Sequence, residues 1–477
     1  MTSLEKIERG TTATSANSGS PLAIELTETL KLAAPMALTQ LGHQAMMTTD
    51  LAFIGRLGSE AVAAAALGGT VYFVSFTFGM GVLAAVAPLA AQAFGARNPH
   101  LVRRALRTGL WAALLIALPV MAFPLRGEQI LLALGQAPVP AHLAQQYLFG
   151  LAWGMAPALC FLAIRGFMGA LNRPQPLLWI TLAAIPANAL MVYLLMYGPF
   201  GLPRLELFGA GLATTLVNCA MFLAALWVAT RRRPFRKYHV LSHLWRIDWT
   251  LLHQLFAIGA PISFAFLMEY GLFAAAALLM GVIGTAALAA HQIALQVTAI
   301  LFMVPFGIGM AATVRVGHAV GRNDSAAVKR AGLSAMVLGV VLAALLTLAV
   351  VLARFAIARF FLGEAADNAA ATTELATKLL LVGATFFVFD GVQSIAVGSL
   401  RGMNDTRIPL LFAAISYWLI GFTSAYGLAF RTPLGAVGVW IGLSCGTTIY
   451  AMLVVLRFWL LASRLVRHED QGNRTRG

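Results

Sequence analysis

The chain has 477 residues, of which 60% are hydrophobic and 11% charged, with a mean hydropathy of +0.82 and a formal charge of +15. A soluble domain carries about 25% charged residues, so this chain cannot cover itself with polar surface, and a soluble enzyme or scaffold is excluded. The positive charge is a candidate signal for nucleic acid, but its placement along the chain points elsewhere.

The N-terminal stretch "MTSLEKIERGTTATSANSGSPLA" is polar and has no apolar core of the kind a cleavable signal peptide needs. Residues 1–30 read as a disordered tail. About 20 apolar residues span a bilayer as a helix, and twelve runs meet that measure: roughly 32–55, 67–94, 108–125, 144–164, 177–197, 209–230, 253–283, 287–314, 333–361, 377–400, 408–429 and 435–461. They are continuous and rich in Ala and Leu, whereas a membrane β-barrel needs alternating segments of about ten residues. The fold class is therefore an all-α polytopic membrane protein.

With twelve spans both ends lie on one face. Of the 33 Lys and Arg residues, only Arg56, Arg126, Arg204, Arg354, Arg359, Lys378 and Arg431 fall on the other face. That asymmetry is the positive-inside signal and places both termini in the cytoplasm. The basic stretch "RRRPFRKYH" at 231–239 reads as a cytoplasmic loop, not a nucleic-acid site. Cys160, Cys219 and Cys445 lie in apolar runs without motif spacing, so neither a disulfide framework nor a zinc site is expected.

The chain repeats itself. "KLAAPMALTQ" (31–40) resembles "AIGAPISFAF" (257–266), and the same shift of 226 lays Gly55, Gly58 and Ala61 on Gly281, Gly284 and Ala287. "FGMG" (78–81) matches "FGIG" (306–309), "GARNPHLVRRA" matches "GRNDSAAVKRA", and "PLLWITL" matches "PLLFAAI". The expected layout is an N-lobe of six helices (31–230), a basic linker (231–250), a C-lobe of six (251–462) and a tail (463–477). An even number of helices per repeat makes the repeats parallel, as in transporters that rock two lobes about a central cleft. One chain supplies both lobes, so a monomer suffices, with membrane lipid as its surroundings.

Of the 18 Asp and Glu residues, three sit inside apolar runs: Asp50 in the first, Glu269 in the seventh and Asp390 in the tenth. Intramembrane ionisable groups generally face a bundle interior or wet cavity and mark ion pathways. A purely structural role would pair them with intramembrane bases, yet no Lys or Arg falls in the middle of a predicted span. His43 and His291 are the remaining partners, and a lone helix histidine is more often a packing residue. Phe73, Phe76, Phe78, Phe264, Phe266, Phe386, Phe387 and Met268 lie near the acids or in neighbouring helices, where packing is the simpler role and cation–π contact with cargo the alternative.

The stretches "MTTDLAFIGRLG", "EYGLFAAAALLMGVIGTAALAAHQIALQVTAILFMVPFGIGMAATVRVGHAVGRND" and "FDGVQSIAVGSLRGMNDTRIP" resemble the multidrug and toxic compound extrusion (MATE) transporters, in their bacterial NorM-like branch. The resemblance covers nearly everything after residue 30. It implies twelve helices in two lobes and export of cationic amphiphilic drugs against inflow of Na⁺ or H⁺, with no cofactor beyond that ion. It further implies a C-lobe cation site at Glu269 and Asp390, and an N-lobe carboxylate at Asp50 with Asn188 beside it. Where some relatives carry a Tyr one turn before the tenth-helix Asp, this chain has Phe386.

Two rival classes are weighed against that reading. An intramembrane enzyme would want His-Glu-x-x-His or Gly-x-Gly-Asp, and ATP-driven transport a Gly-Lys-Ser/Thr loop; none occurs. A lipid or oligosaccharide flippase of the same architecture would favour central arginines for a pyrophosphate, and acids without central Arg point to cationic cargo. Pro35 is expected to kink the first helix beside Asp50.

Overall fold

A computed structural model describes residues 21–474, apart from 202, 243–244 and 363–368. Among the described residues there are twelve long helices: α1 Pro21–Gly55, α2 Ser59–Gly95, α3 Pro99–Leu125, α4 Pro138–Ala152 continued as Met155–Ala170, α5 Gln175–Tyr197, α6 Glu206–Arg231, α7 Trp249–Ile283, α8 Thr285–Gly321, α9 Ser325–Leu362, α10 Ala369–Gly402, α11 Arg407–Phe430 and α12 Ala436–Arg474. Ten are long and apolar enough to cross a bilayer, and the bent α4 makes an eleventh. The exception is α1, whose Gln40, His43, Gln44, Thr48, Thr49 and Asp50 dilute its apolar character. The molecule is a polytopic membrane protein of two six-helix lobes.

Two boundaries differ from the sequence reading. Residues 21–30, expected to be disordered, form the first turns of α1, which Glu25 anchors by a bidentate ion pair to Arg315 of α8 at 2.8 Å. Residues 1–20 lie outside the described residues. At the other end α12 runs into the expected tail as far as Arg474.

The repeat governs local structure closely. Adding 226 to the bounds of α2 gives those of α8, and adding it to the start of α3 gives the start of α9. The turns repeat as well: Gly58 and Gly284 both take positive φ, as do Arg97 and Asn323. The caps repeat too, because Asn98 accepts from the Leu101 amide at 3.1 Å and Asp324 from the Ala327 amide at 2.8 Å. Such caps satisfy an orphan donor of the first helical turn. The symmetry fails where proline intervenes. Pro88 removes an amide donor and clashes with the carbonyl four residues back, so α2 breaks at Ala84–Ala85; its counterpart in α8 is Val314, and α8 runs through. Pro157 breaks α4 in the same way at Trp153–Gly154, where its halves bend by 48°. Pro35 lies inside the unbroken α1.

The lobes meet through α1 and α2 on one side and α7 and α8 on the other. A Cβ on Gly81 would lie 2.4 Å from Ser263 Cα, and one on Gly307 2.6 Å from Ala37 Cα. These pairs exchange under the 226 shift, as do Gly95 against His318 and Gly321 against Gln92. Gly81 therefore corresponds to Gly307, and the match of "FGMG" to "FGIG" is two residues out of register. Ser263 Oγ donates to the Phe78 carbonyl at 2.6 Å, and His318 contacts the Ala170 carbonyl at 2.6 Å. All these approaches lie in the halves of the helices that end on the basic face, so the lobes are closed together there. Met47 and Leu51 of α1, and Leu278 and Val282 of α7, lie toward the other face and are exposed.

The basic linker folds against the N-lobe. Phe235 is buried against Phe167, and Tyr238 meets the same ring edge-on at 5.8 Å. Asp248 caps α7 and accepts from Arg104 Nε at 2.6 Å. Burial works against ionisation of Asp248, but the hydrogen bonds from Arg104 and the Leu251 amide outweigh it and hold the carboxyl below its ordinary range. A depressed folded-state pKa stabilises above the unfolded value of about 3.9 and is lost as pH falls through the folded one.

Overpacking a close contact costs about 1–3 kcal/mol. Gly307→Val should therefore lower the melting temperature of the purified protein measurably. Gly55→Ala, whose Cβ meets nothing within 4 Å, should leave it unchanged or slightly raised. Equal melting curves for both would contradict the packing account.

Candidate functional site

In the N-lobe, Asp50 is 8% exposed and its hydrogen-bond partners come from α5 and α6. Asn188 Nδ2 donates to Oδ1 at 2.5 Å, and Thr214 Oγ1 lies 3.1 Å from Oδ2. The same hydroxyl is 3.2 Å from the Ala210 carbonyl of its own helix. A hydroxyl has one proton, so it serves either Asp50 or Ala210. An ionised carboxylate only accepts, whereas a protonated one also donates. The pair of donors suits ionised Asp50, and Thr214 turning to Ala210 suits the protonated acid.

In the C-lobe, Gln393 joins the two acids expected there. It follows Asp390 by three residues, which puts both on one face of α10. Its Nε2 lies 3.1 Å from Asp390 Oδ1 and 3.4 Å from Glu269 Oε1, so the two protons of one amide point to two carboxylates. Glu269 opens into a cavity of about 20 Å³ shared with Ser394, Arg401, Tyr417 and Tyr450. A cavity of 10–15 Å³ or more holds a water. Tyr417 is 2% exposed and its hydroxyl has no hydrogen-bond partner. Tyr417 lies in a π-helical stretch, Ala414–Phe422, which widens α11 at this level, and the neighbouring Trp418 Nε1 donates to the Met268 carbonyl at 3.2 Å. Asp390 faces a separate cavity of about 10 Å³ with Thr298 and Thr347.

Of the residues singled out in the sequence, Glu269 and Asp390 come together through Gln393, and Asp50 and Asn188 bond directly. Asp50 is not joined to the C-lobe pair; both its side-chain partners belong to the N-lobe. Phe386 is buried in an aromatic cluster with Phe273, Phe387 and Trp440, and hydroxyls reach the Glu269 cavity from Tyr417 and Tyr450 instead. His291 accepts from Trp440 Nε1 at 3.1 Å, and His43 stacks on Phe161, so both are packing residues. Among the described residues no three His, Cys, Asp or Glu gather to hold a metal ion.

One expectation needs correction. Arg165 and Arg401, which fall just beyond the apolar runs 144–164 and 377–400, lie inside α4 and α10 and face the interior. Both line a cavity of about 70 Å³ between the lobes, together with Met36, Met80, Phe266 and Phe306. The spans extend past the points where hydropathy falls, to Ala170 and Gly402, and carry these cations inward. The molecule thus has two arginines facing the cavity between the lobes, toward the basic-face ends of α4 and α10.

Removing a donor from a buried charged acceptor costs about 1–3 kcal/mol or more. Asn188→Ala should destabilise the protein markedly, Asp50→Asn less, and the double variant by less than the two together. Additive losses in a thermal double-mutant cycle would show that the two side chains do not interact.

The MatE family model matches residues 35–194 and 261–427, one stretch in each lobe. The chain is 65% identical over 466 residues to a "Probable multidrug resistance protein NorM" of Bradyrhizobium diazoefficiens, covering 98% of this chain and all of the other. It is 58% identical over 434 residues to a protein of the same description from Rhodopseudomonas palustris, covering 91% of each. In fold it is similar to the crystal structure of the eukaryotic MATE transporter AtDTX14, with a TM-score of 0.83 and 20% identity over 94% of this chain and all of that one.

Proposed function

The chain belongs to the MatE family, and from that premise we propose that it is a cation-coupled antiporter exporting cationic amphiphilic compounds by alternating access. The description of its relatives as multidrug resistance proteins supports the cargo class. The observation that carries the mechanism is the Glu269–Gln393–Asp390 arrangement. Two carboxylates held by one amide repel each other, and an arriving H⁺ or Na⁺ relieves the repulsion. The cation bound there is exchanged when the lobes rock, and its release leaves the acids ready for another.

Asp50 serves a second role in the N-lobe. Its donors stabilise the ionised form, which attracts either a proton or the cationic end of the cargo. The Thr214 hydroxyl, placed between Asp50 and Ala210, lets the site change protonation without leaving a buried group unsatisfied. The excess of Lys and Arg on one face supports a bacterial inner-membrane protein with both termini cytoplasmic, and the lobes are closed together at that face. Two lobes on one chain support a functional monomer. A lipid flippase gains one observation, the two arginines facing the cavity between the lobes, and is separated by the experiments that follow.

Expression in a pump-deficient host should lower accumulation of ethidium. Unchanged dye and drug levels, together with rescue of a lipid-carrier flipping defect, would favour the flippase. In proteoliposomes, efflux is measured under an imposed Na⁺ gradient and an imposed pH gradient separately, and the gradient that drives transport identifies the ion. Glu269→Gln and Asp390→Asn each keep shape while removing charge, and should reduce gradient-driven efflux to the level of empty vesicles. Asp50→Asn should impair it and alter drug preference. Normal transport by the Glu269→Gln/Asp390→Asn double variant would overturn the assignment.

A further inference from the structure

A groove between α5 and α6 lies apart from the acids and from the cavity between the lobes. Its volume is about 570 Å³, within the range of about 300–1,000 Å³ usual for ligand sites. Among the described residues no C-lobe residue lines it, and the lobes are closed together in this half of the molecule, so the groove opens to the bilayer. Buried Ala184, Val217 and Met221 form its floor, and the small exposed side chains of Ala183, Ala187 and Ala220 leave it unobstructed. Exposed Trp179 and Trp227 stand along it toward the basic face. From Gln175 to Ala187 the groove follows α5 for twelve residues. That is about 18 Å of helix, against about 15 Å for the hydrocarbon of one leaflet. The groove thus runs from the basic face to near the middle of the membrane.

Among the described residues that line the groove, Arg232 alone is charged, and it stands at the mouth. Its guanidinium lies 5.4 Å from the centre of the Trp227 ring and makes no ion pair within 4.0 Å among the described residues. We propose that the α5–α6 groove binds an anionic phospholipid of the leaflet at the basic face, with one acyl chain between Ala183 and Ala220 and the phosphate diester on Arg232. A guanidinium fork matches phosphate oxygens, and a basic cluster directly beyond a membrane helix attracts anionic headgroups. Arg231, Arg233, Arg236 and Lys237 supply that cluster, and no Asp or Glu occurs between Glu206 and Asp248. A zwitterionic headgroup would bring an ammonium to a mouth with no acid to receive it, so charge selects the anionic lipid. The inner end of the groove meets the Asp50 site, because Ala187 precedes Asn188 and Val217 lies one turn beyond Thr214. The seated chain therefore rests on the two helices whose side chains bond Asp50.

Native mass spectrometry of the purified full chain, titrated with dioleoyl phosphatidylglycerol or dioleoyl phosphatidylcholine, reads the dissociation constant of the first bound lipid. The wild type should bind phosphatidylglycerol about tenfold more tightly than phosphatidylcholine. Arg232→Gln should remove that preference. Ala183→Phe and Ala220→Phe each fill the groove from the bilayer side and should weaken both lipids. Arg233→Gln and Arg236→Gln take charge from the same run without touching the groove, and should leave the preference in place. Equal losses in all three Arg variants would show diffuse attraction to a basic loop and overturn the site. Undiminished phosphatidylglycerol binding by either Phe variant overturns it as well. Displacement of the lipid by inorganic phosphate would leave an anion site without a chain, and a dimer that Ala220→Phe breaks would assign the groove to a second copy; both overturn the lipid assignment. The wild type carries a further check, because a ligand of the folded state stabilises it: phosphatidylglycerol should raise its melting temperature more than phosphatidylcholine does, and equal shifts contradict the proposal.

Discussion

The structure depends on one constraint: a carboxylate among apolar helices must be given donors, and no single helix can supply them. Backbone amides inside a helix are already committed to the helix itself. Asp50 on α1 therefore draws Asn188 from α5 and Thr214 from α6, and Glu269 on α7 draws Gln393 from α10. Each acid thereby ties together helices that are distant in sequence. An interhelical hydrogen bond in a membrane contributes about 0.6–2 kcal/mol, too little to dictate the bundle but enough to set which faces turn inward. The acids are thus structural and titratable at once, and a change in their protonation alters the bonds between helices.

The duplication explains how two lobes from one chain fit together. The paired approaches of Gly81 to Ser263 and Gly307 to Ala37 form an interface related to itself by the repeat. Such packing needs small residues on both sides. The polar ties across the same region, Glu25 to Arg315 and Ser263 to Phe78, do not follow the repeat. The close backbone approaches are symmetric, and the polar ties across them are not.

Much of this was legible from residue order. Hydropathy located the spans, the shift of 226 located the repeat, and the rarity of intramembrane acids picked out Asp50, Glu269 and Asp390. Gln393 was visible in "FDGVQSIAVG", three residues beyond Asp390, but nothing in a single helix says that an amide reaches an acid 124 positions away. Thr214, Tyr417 and Tyr450 stand in apolar runs where a hydroxyl residue looks like ordinary packing. Arg165 and Arg401 were misplaced for a different reason. A cation near the end of an apolar run marks a loop by hydropathy, yet a helix that continues beyond the run buries it.

The two lobes solve the same problem with different chemistry, and that difference bears on transport. The N-lobe has one acid with an amide and a hydroxyl, a site that can take a single proton or a cationic group. The C-lobe has two acids on one amide, with Arg401 and two tyrosines at its edge, where charge balance depends on more than one neighbour. α2 breaks near Pro88 and α4 near Pro157, while α8 and α10 are continuous, so the lobes differ in backbone as well. A duplicated gene would have begun with two equal sites; the antiport proposed above requires that they respond differently, and these substitutions supply the inequality.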